Sequence, residues 1–180
     1  MRARASAAVA ILLCISNVAI AQVGPKAPPS REAILAAARD VIQKARFASL
    51  VTLGEKGEPQ ARIVDPFPPD SSFTVWVGTN PLTRKVGQIR RDGRVTLIWF
   101  DAGNLSYVSL AGSAVLVSDS AEKARHWKED WASLYRDRNR GDDYLLIRIT
   151  PMHMEVVSPA NGMLNDPKTW RPVILDFPPG

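Results

Sequence analysis

The sequence predicts a mainly β fold, an antiparallel β-barrel of six to seven short strands with flanking helices. Three observations predict it. Short β-prone runs follow one another with turn residues between them. Helical periodicity is confined to a few stretches at early, middle and later positions. Alternating βαβ units are absent, which argues against a parallel nucleotide-binding sheet. Length and composition agree: 180 residues, 46% hydrophobic and 23% charged, describe one domain with a real core and exclude a disordered or collagen-like chain. A single cysteine excludes an internal disulfide framework and a Cys-based zinc cage. A net charge of +5 is mildly basic and argues weakly at best for nucleic acid, which is not expected as a partner.

Residues 1–21 read as a secretory signal peptide. Arg2 and Arg4 precede an apolar run from Ala7 to Ile15, and Ala19-Ile20-Ala21 supplies a small-residue cleavage site after Ala21. The run is short for a membrane span, and Leu13 before Cys14 does not suit a lipid-attachment site, so no stable membrane anchor is expected. The expected location is outside the cytoplasm, in the periplasm or secreted. Residues 22–30 form a Pro-rich linker, 31–158 the barrel domain and 159–180 a tail that packs on the barrel or on a dimer partner.

Within the domain, Ser30 suits a helix N-cap, and Ile34, Leu35, Ala38, Val41 and Ile42 repeat at helical spacing over 31–45. Strands are expected at 47–53 and 59–64, joined by the Gly54–Gly57 turn, and at 73–77. A short helix is expected from Thr83 to Arg91, followed by strands at 94–100 and 105–117, with Gly112 marking a bulge or bend. Ser118 or Asp119 caps an expected second amphipathic helix over 121–135, with Trp127 and Trp131 on its apolar face. Strands at 144–150 and 152–157, divided by Pro151, complete the pattern.

The chemistry concentrates in Trp76-Val77-Gly78-Thr79-Asn80-Pro81-Leu82-Thr83-Arg84-Lys85. A strand ends and a helix begins with a hydroxyl, a guanidinium and an ammonium in succession. A helix start offers free amides and a positive dipole end, so this combination suits a phosphate. A capped surface helix with solvated charges is the alternative. Arg62, on the preceding strand, could meet the same anion if the two strands are adjacent, or could simply face solvent. His126 and His153 are isolated and lack ligand spacing, so no metal site is expected. Neither a Gly-x-Ser-x-Gly elbow nor a His-Glu-x-x-His motif is present. Residues 137–143 read as a solvated charged loop.

Arg62, the GTNPLTRK run, Ile89 to Val95 and Leu110 to Ala114 together resemble the pyridoxamine 5′-phosphate oxidase-related flavin-binding proteins, including the general stress protein group. The resemblance spans about Ala33 to Val157. It implies an FMN-binding split β-barrel, dimeric, with the cofactor at the dimer interface. Carried over by position, Arg62, Thr83, Arg84 and Lys85 would hold the FMN phosphate, with Thr79 beside it. Backbone around Ile63, Val64, Val77 and Gly78 would line the isoalloxazine ring, and Trp76, Trp99 and Tyr107 would offer an apolar wall. Tyr107 stands where the pyridoxamine oxidases place a glutamine, and their C-terminal Arg and His signature is not evident. The expectation is therefore an exported FMN-dependent oxidoreductase acting on another small molecule. The alternatives are a non-catalytic carrier of flavin or haem, a barrel for a deazaflavin coenzyme, or a barrel with no cofactor.

Overall fold

The structure, a computed structural model, describes residues 27–178. The predicted signal peptide and the first residues of the linker lie outside the described residues. The first helix, α1 (Arg31–Ala45), forms where the periodicity places it. The Ser30 hydroxyl accepts from the Ala33 amide at 3.2 Å and so pairs one of the free donors of the first turn. Ile34, Ala37, Ala38, Val41 and Ile42 form its buried face.

Seven strands follow among the described residues: β1 (Ala48–Leu53), β2 (Pro59–Val64), β3 (Val75–Thr79), β4 (Arg94–Asp101), β5 (Ser106–Val117), β6 (Leu145–Val157) and β7 (Val173–Asp176). A second helix, α2 (Arg84–Arg91), lies between β3 and β4, and a third, α3 (Ser120–Arg125), follows β5. All pairings are antiparallel. The order is β2-β1-β4-β5-β6-β3, with β7 also on β6. The sheet curls without closing, so β2 and β3 are its two free ends. Inward-facing Leu50, Val75, Leu97, Trp99, Leu110, Ile149 and Met154 are fully buried and pack against α1 in one core. Each such side chain contributes about 1.5–3 kcal/mol relative to exposure.

Four expectations need correction. The third strand starts at Val75, not Phe73. Asp70 Oδ1 accepts from the amides of Ser72 and Thr74 at 2.9 Å, and Phe73 turns through φ 67°, which extended pairing forbids. The strand then runs on to Thr79, two residues beyond the expected end. The expected helix over 121–135 is only α3, capped by Asp119 on the Glu122 amide, followed by a 3₁₀ turn at Glu129–Trp131. Its aromatic spacing serves a second cluster, in which partly buried Phe67, Trp76 and Trp127 pack against buried Trp131, Tyr144 and Leu146.

Pro151 does not divide two strands. It lies within β6 opposite Gly112, where the β5–β6 register shifts. A Cβ at Gly112 would sit 2.3 Å from the Thr150 carbonyl oxygen, so only glycine permits the approach, and the irregular pairing tolerates the missing amide of Pro151. Finally, β2 and the third strand are not paired neighbours: they are opposite ends of the sheet.

Candidate functional site

The two free ends of the sheet face each other across the split. Ile63 and Val64 of β2 and Gly78 and Thr79 of β3 line one cleft of about 370 Å³, together with Thr83 and Lys85 at the start of α2. Six of the predicted site residues are therefore brought together, although their strands share no hydrogen bonds.

Thr79 is the hub. It is buried, and its hydroxyl accepts from Lys85 Nζ at 2.9 Å and lies 3.2 Å from the Thr83 hydroxyl. Thr83 donates to the Asn80 carbonyl at 2.8 Å instead of capping α2. The first-turn amides of α2 thus receive no side-chain cap, and no acid lies in that turn. Two cations, Arg84 and Lys85, sit instead at the positive end of the helix dipole. That placement is unfavourable unless an anion joins it.

Arg62 lies half-buried beside this cluster. Its Nη1 donates to the Leu50 carbonyl at 3.2 Å and to Thr52 Oγ1 at 2.6 Å, and its Nη2 donates to Gln88 Oε1 at 2.9 Å. Gln88 in turn donates to Gln60 at 2.7 Å. These neutral partners fix the guanidinium without cancelling its charge. Burial, then the nearby Arg84, holds Arg62 below its ordinary value. Burial, then Arg62, likewise lowers the Lys85 ammonium. Among the described residues, Arg62, Arg84 and Lys85 form no ion pair with a carboxylate, whereas ion pairs elsewhere engage nine other Lys and Arg residues. Arg62 and Lys85 are thus partly desolvated and unpaired, while Arg84 is exposed and lines a neighbouring cleft with Glu55 and Glu58.

The cleft wall differs from expectation. Trp76 stacks on His126 at 4.2 Å, and Trp99 lies in the core. Trp131, Leu134 and Tyr135 form the wall instead. At Gly78, a Cβ would meet Trp131 Cζ3 at 2.5 Å and the Tyr144 ring at 2.9 Å, so aromatic rings already occupy that face. Gly78 therefore lets the aromatic wall pack closely and itself lines the cleft. Val77 points into the core. Tyr107 is not gathered with the others: it lies on β5, opposite Phe100 and Val157, three strands from Arg62. Burial, then Glu155, raises its phenol. The wall residues carry no motif of their own. Their only sequence signal is an aromatic spacing that also fits an ordinary helix face.

An open antiparallel barrel with a cation cluster across its split defines a split-barrel protein with an anion-ready edge. A model of the pyridoxamine 5′-phosphate oxidase family matches residues 34–158, and the chain belongs to that family. No curated protein matches the chain in sequence. Among solved structures, it resembles a Clostridium acetobutylicum protein related to general stress protein 26, with a TM-score of 0.68, 18% identity, and coverage of 82% of this chain and 96% of the other. It also resembles general stress protein 26 of Bacillus anthracis, with a TM-score of 0.62, 20% identity, and coverage of 81% and 97%. A nimc/nima family protein from Clostridium acetobutylicum shares the fold at a TM-score of 0.57 and 12% identity, with coverage of 79% and 93%.

Proposed function

We infer that the protein is an exported, homodimeric FMN-binding oxidoreductase acting on a small molecule other than pyridoxamine phosphate. The observation that carries this reading is the uncompensated cation cluster of Arg62, Arg84 and Lys85 at the uncapped start of α2. A phosphate there would accept from Lys85, Arg84, the Thr79 and Thr83 hydroxyls and the free amides, and would relieve the mutual repulsion of the cations. The donor set fits a phosphate monoester better than a carboxylate, because several converging donors need several acceptor oxygens. When bound, the flavin ring supplies electron or hydride transfer, while the protein binds and orients it. The ring would lie along Ile63 and Val64 with Trp131 and Tyr135 as its aromatic wall.

The dimer reading rests on the cleft lips. Ile63 and Leu134 are 70% and 69% exposed, and Ile98 and Phe100 add apolar surface on the outer sheet face. A cleft of about 370 Å³ is near the lower end for a small-molecule site, so a partner surface would complete it. Tyr107, remote from its own cleft, would then reach a flavin only across such an interface.

Calorimetric titration with FMN and with riboflavin tests the assignment. FMN binding should saturate, riboflavin should bind much more weakly, and Arg62→Ala should weaken FMN while leaving riboflavin unchanged. Equal affinity for both ligands would remove the phosphate site. Export is tested separately by sequencing the N-terminus of protein recovered outside the cytoplasm, which should begin at Gln22.

A further inference from the structure

A second cleft, of about 650 Å³, lies between α1 and the loop that follows β2. It is largely apolar: Ile42 of α1 faces Pro66, Phe67 and Pro69 of the loop, and Trp99 of β4 lines it from the core side. Trp99 is fully buried, and its indole N–H has no hydrogen-bond acceptor among the described residues. Native proteins leave few such donors unpaired, because each loses its hydration without replacement.

Charge at this cleft is also uneven. Among the described residues, Arg39, Arg46 and Lys128 line it, with Asp65 as the one carboxylate. Asp65 pairs with Lys128 at 2.9 Å and with Arg46 at 3.3 Å, so those charges are answered. Arg39 makes no ion pair among the described residues. It is held over the Phe73 ring at 4.6 Å, donating to the carbonyls of Pro69 at 2.6 Å and Asp70 at 2.5 Å. Those two bonds leave three of its five N–H groups for another acceptor.

We propose that this cleft binds a small aromatic carboxylate that also carries a hydroxyl or carbonyl oxygen. The flat apolar body lies between Ile42 and the prolines. The carboxylate pairs with Arg39, the rim cation without a counter-charge. The second oxygen accepts from the Trp99 indole N–H. A single unanswered cation in an apolar setting selects one negative charge, unlike the three clustered cations of the split. This site shares only Asp65 with the proposed flavin cleft and does not depend on a flavin being bound.

Calorimetric titration of the full-length protein with 6-hydroxy-2-naphthoate tests the proposal. Saturable binding is expected, with the methyl ester at least about tenfold weaker, as loss of a charge-assisted bond implies. The unsubstituted 2-naphthoate should also bind more weakly. Trp99→Phe should abolish the preference for the hydroxylated acid, and Arg39→Gln the preference for acid over ester. Lys85→Ala should bind as the parent does. Absence of saturable binding, loss of binding in Lys85→Ala, or retention of both preferences in the two cleft variants overturns the proposal. If Trp99→Phe does not fold, the ligand pairs on the parent and on Arg39→Gln decide the matter.

Discussion

The two clefts of this molecule treat positive charge in opposite ways. At the split, Arg62 and Lys85 are held by neutral groups, and Arg62 is repelled by Arg84 and repels Lys85. Under α1, Arg46 and Lys128 converge on Asp65, and among the described residues only Arg39 is left without a carboxylate. The first arrangement leaves positive charge that a bound anion would relieve. The second is mainly structural: it ties the loop after β2 to α1 and to the segment after α3. Counting cations does not separate the two regions. Counting the carboxylates that answer them does.

The comparison can be broken most forcefully at Trp99. Trp99→Ala removes a fully buried ring from the core and should cost about 3–5 kcal/mol of stability, read by chemical denaturation. Lys85→Ala should do the reverse of ordinary damage. FMN affinity should fall by about 1.5–3 kcal/mol, roughly ten- to 150-fold, while thermal stability without ligand stays equal or rises. A marked loss of stability would mean that Lys85 serves the fold rather than a ligand.

pH sharpens the contrast. Burial alone would raise the Asp65 carboxyl, but Lys128 and Arg46 hold it below its ordinary 3.8. Its contribution is therefore complete above that value and lost as pH falls through the lower folded-state value. Lys85, lowered from 10.5 by burial and Arg62, binds fewer protons folded than unfolded just below 10.5, so stability should rise with pH in that alkaline window. Denaturation across pH should show both slopes. Asp65→Asn should flatten the acid one and Lys85→Met the alkaline one.

The smallest effect separates the helix starts. Ser30→Ala should cost about 0.5–1 kcal/mol, because a real cap is lost, whereas Thr83→Ala should cost α2 less, because Thr83 caps nothing. A difference scan of the two variants decides it.

Much of the scaffold is legible in local pattern. The α1 periodicity with its Ser30 cap, the Gly54–Gly57 turn and the Gly112 irregularity are each set by residues close in sequence. The segment 126–143 is not legible. Trp127, Trp131 and Tyr135 repeat at helical spacing, yet tertiary packing around Tyr144 and Gly78 overrides that period. The same division runs through the candidate site. Thr83, Arg84 and Lys85 are contiguous and visible. The wall of Trp131, Leu134 and Tyr135 comes from about fifty residues further on and arrives only by folding over β3. The approach of β2 to β3 is equally hidden, because it is a proximity of two unpaired edges and leaves no pairing register to read.

One detail of β6 reaches further than its size. One flank of this strand serves β5 along most of its length; the other is shared by β3, against Leu145–Ile149, and β7, against His153–Val156. Pro151 stands between the two stretches with no N–H to offer either. It acts as punctuation: neither strand can slide past it into the other's place. The C-terminal segment is thereby insulated from the edge that carries Thr79, so changes in the tail can accumulate without shifting the frame on which the cations are mounted.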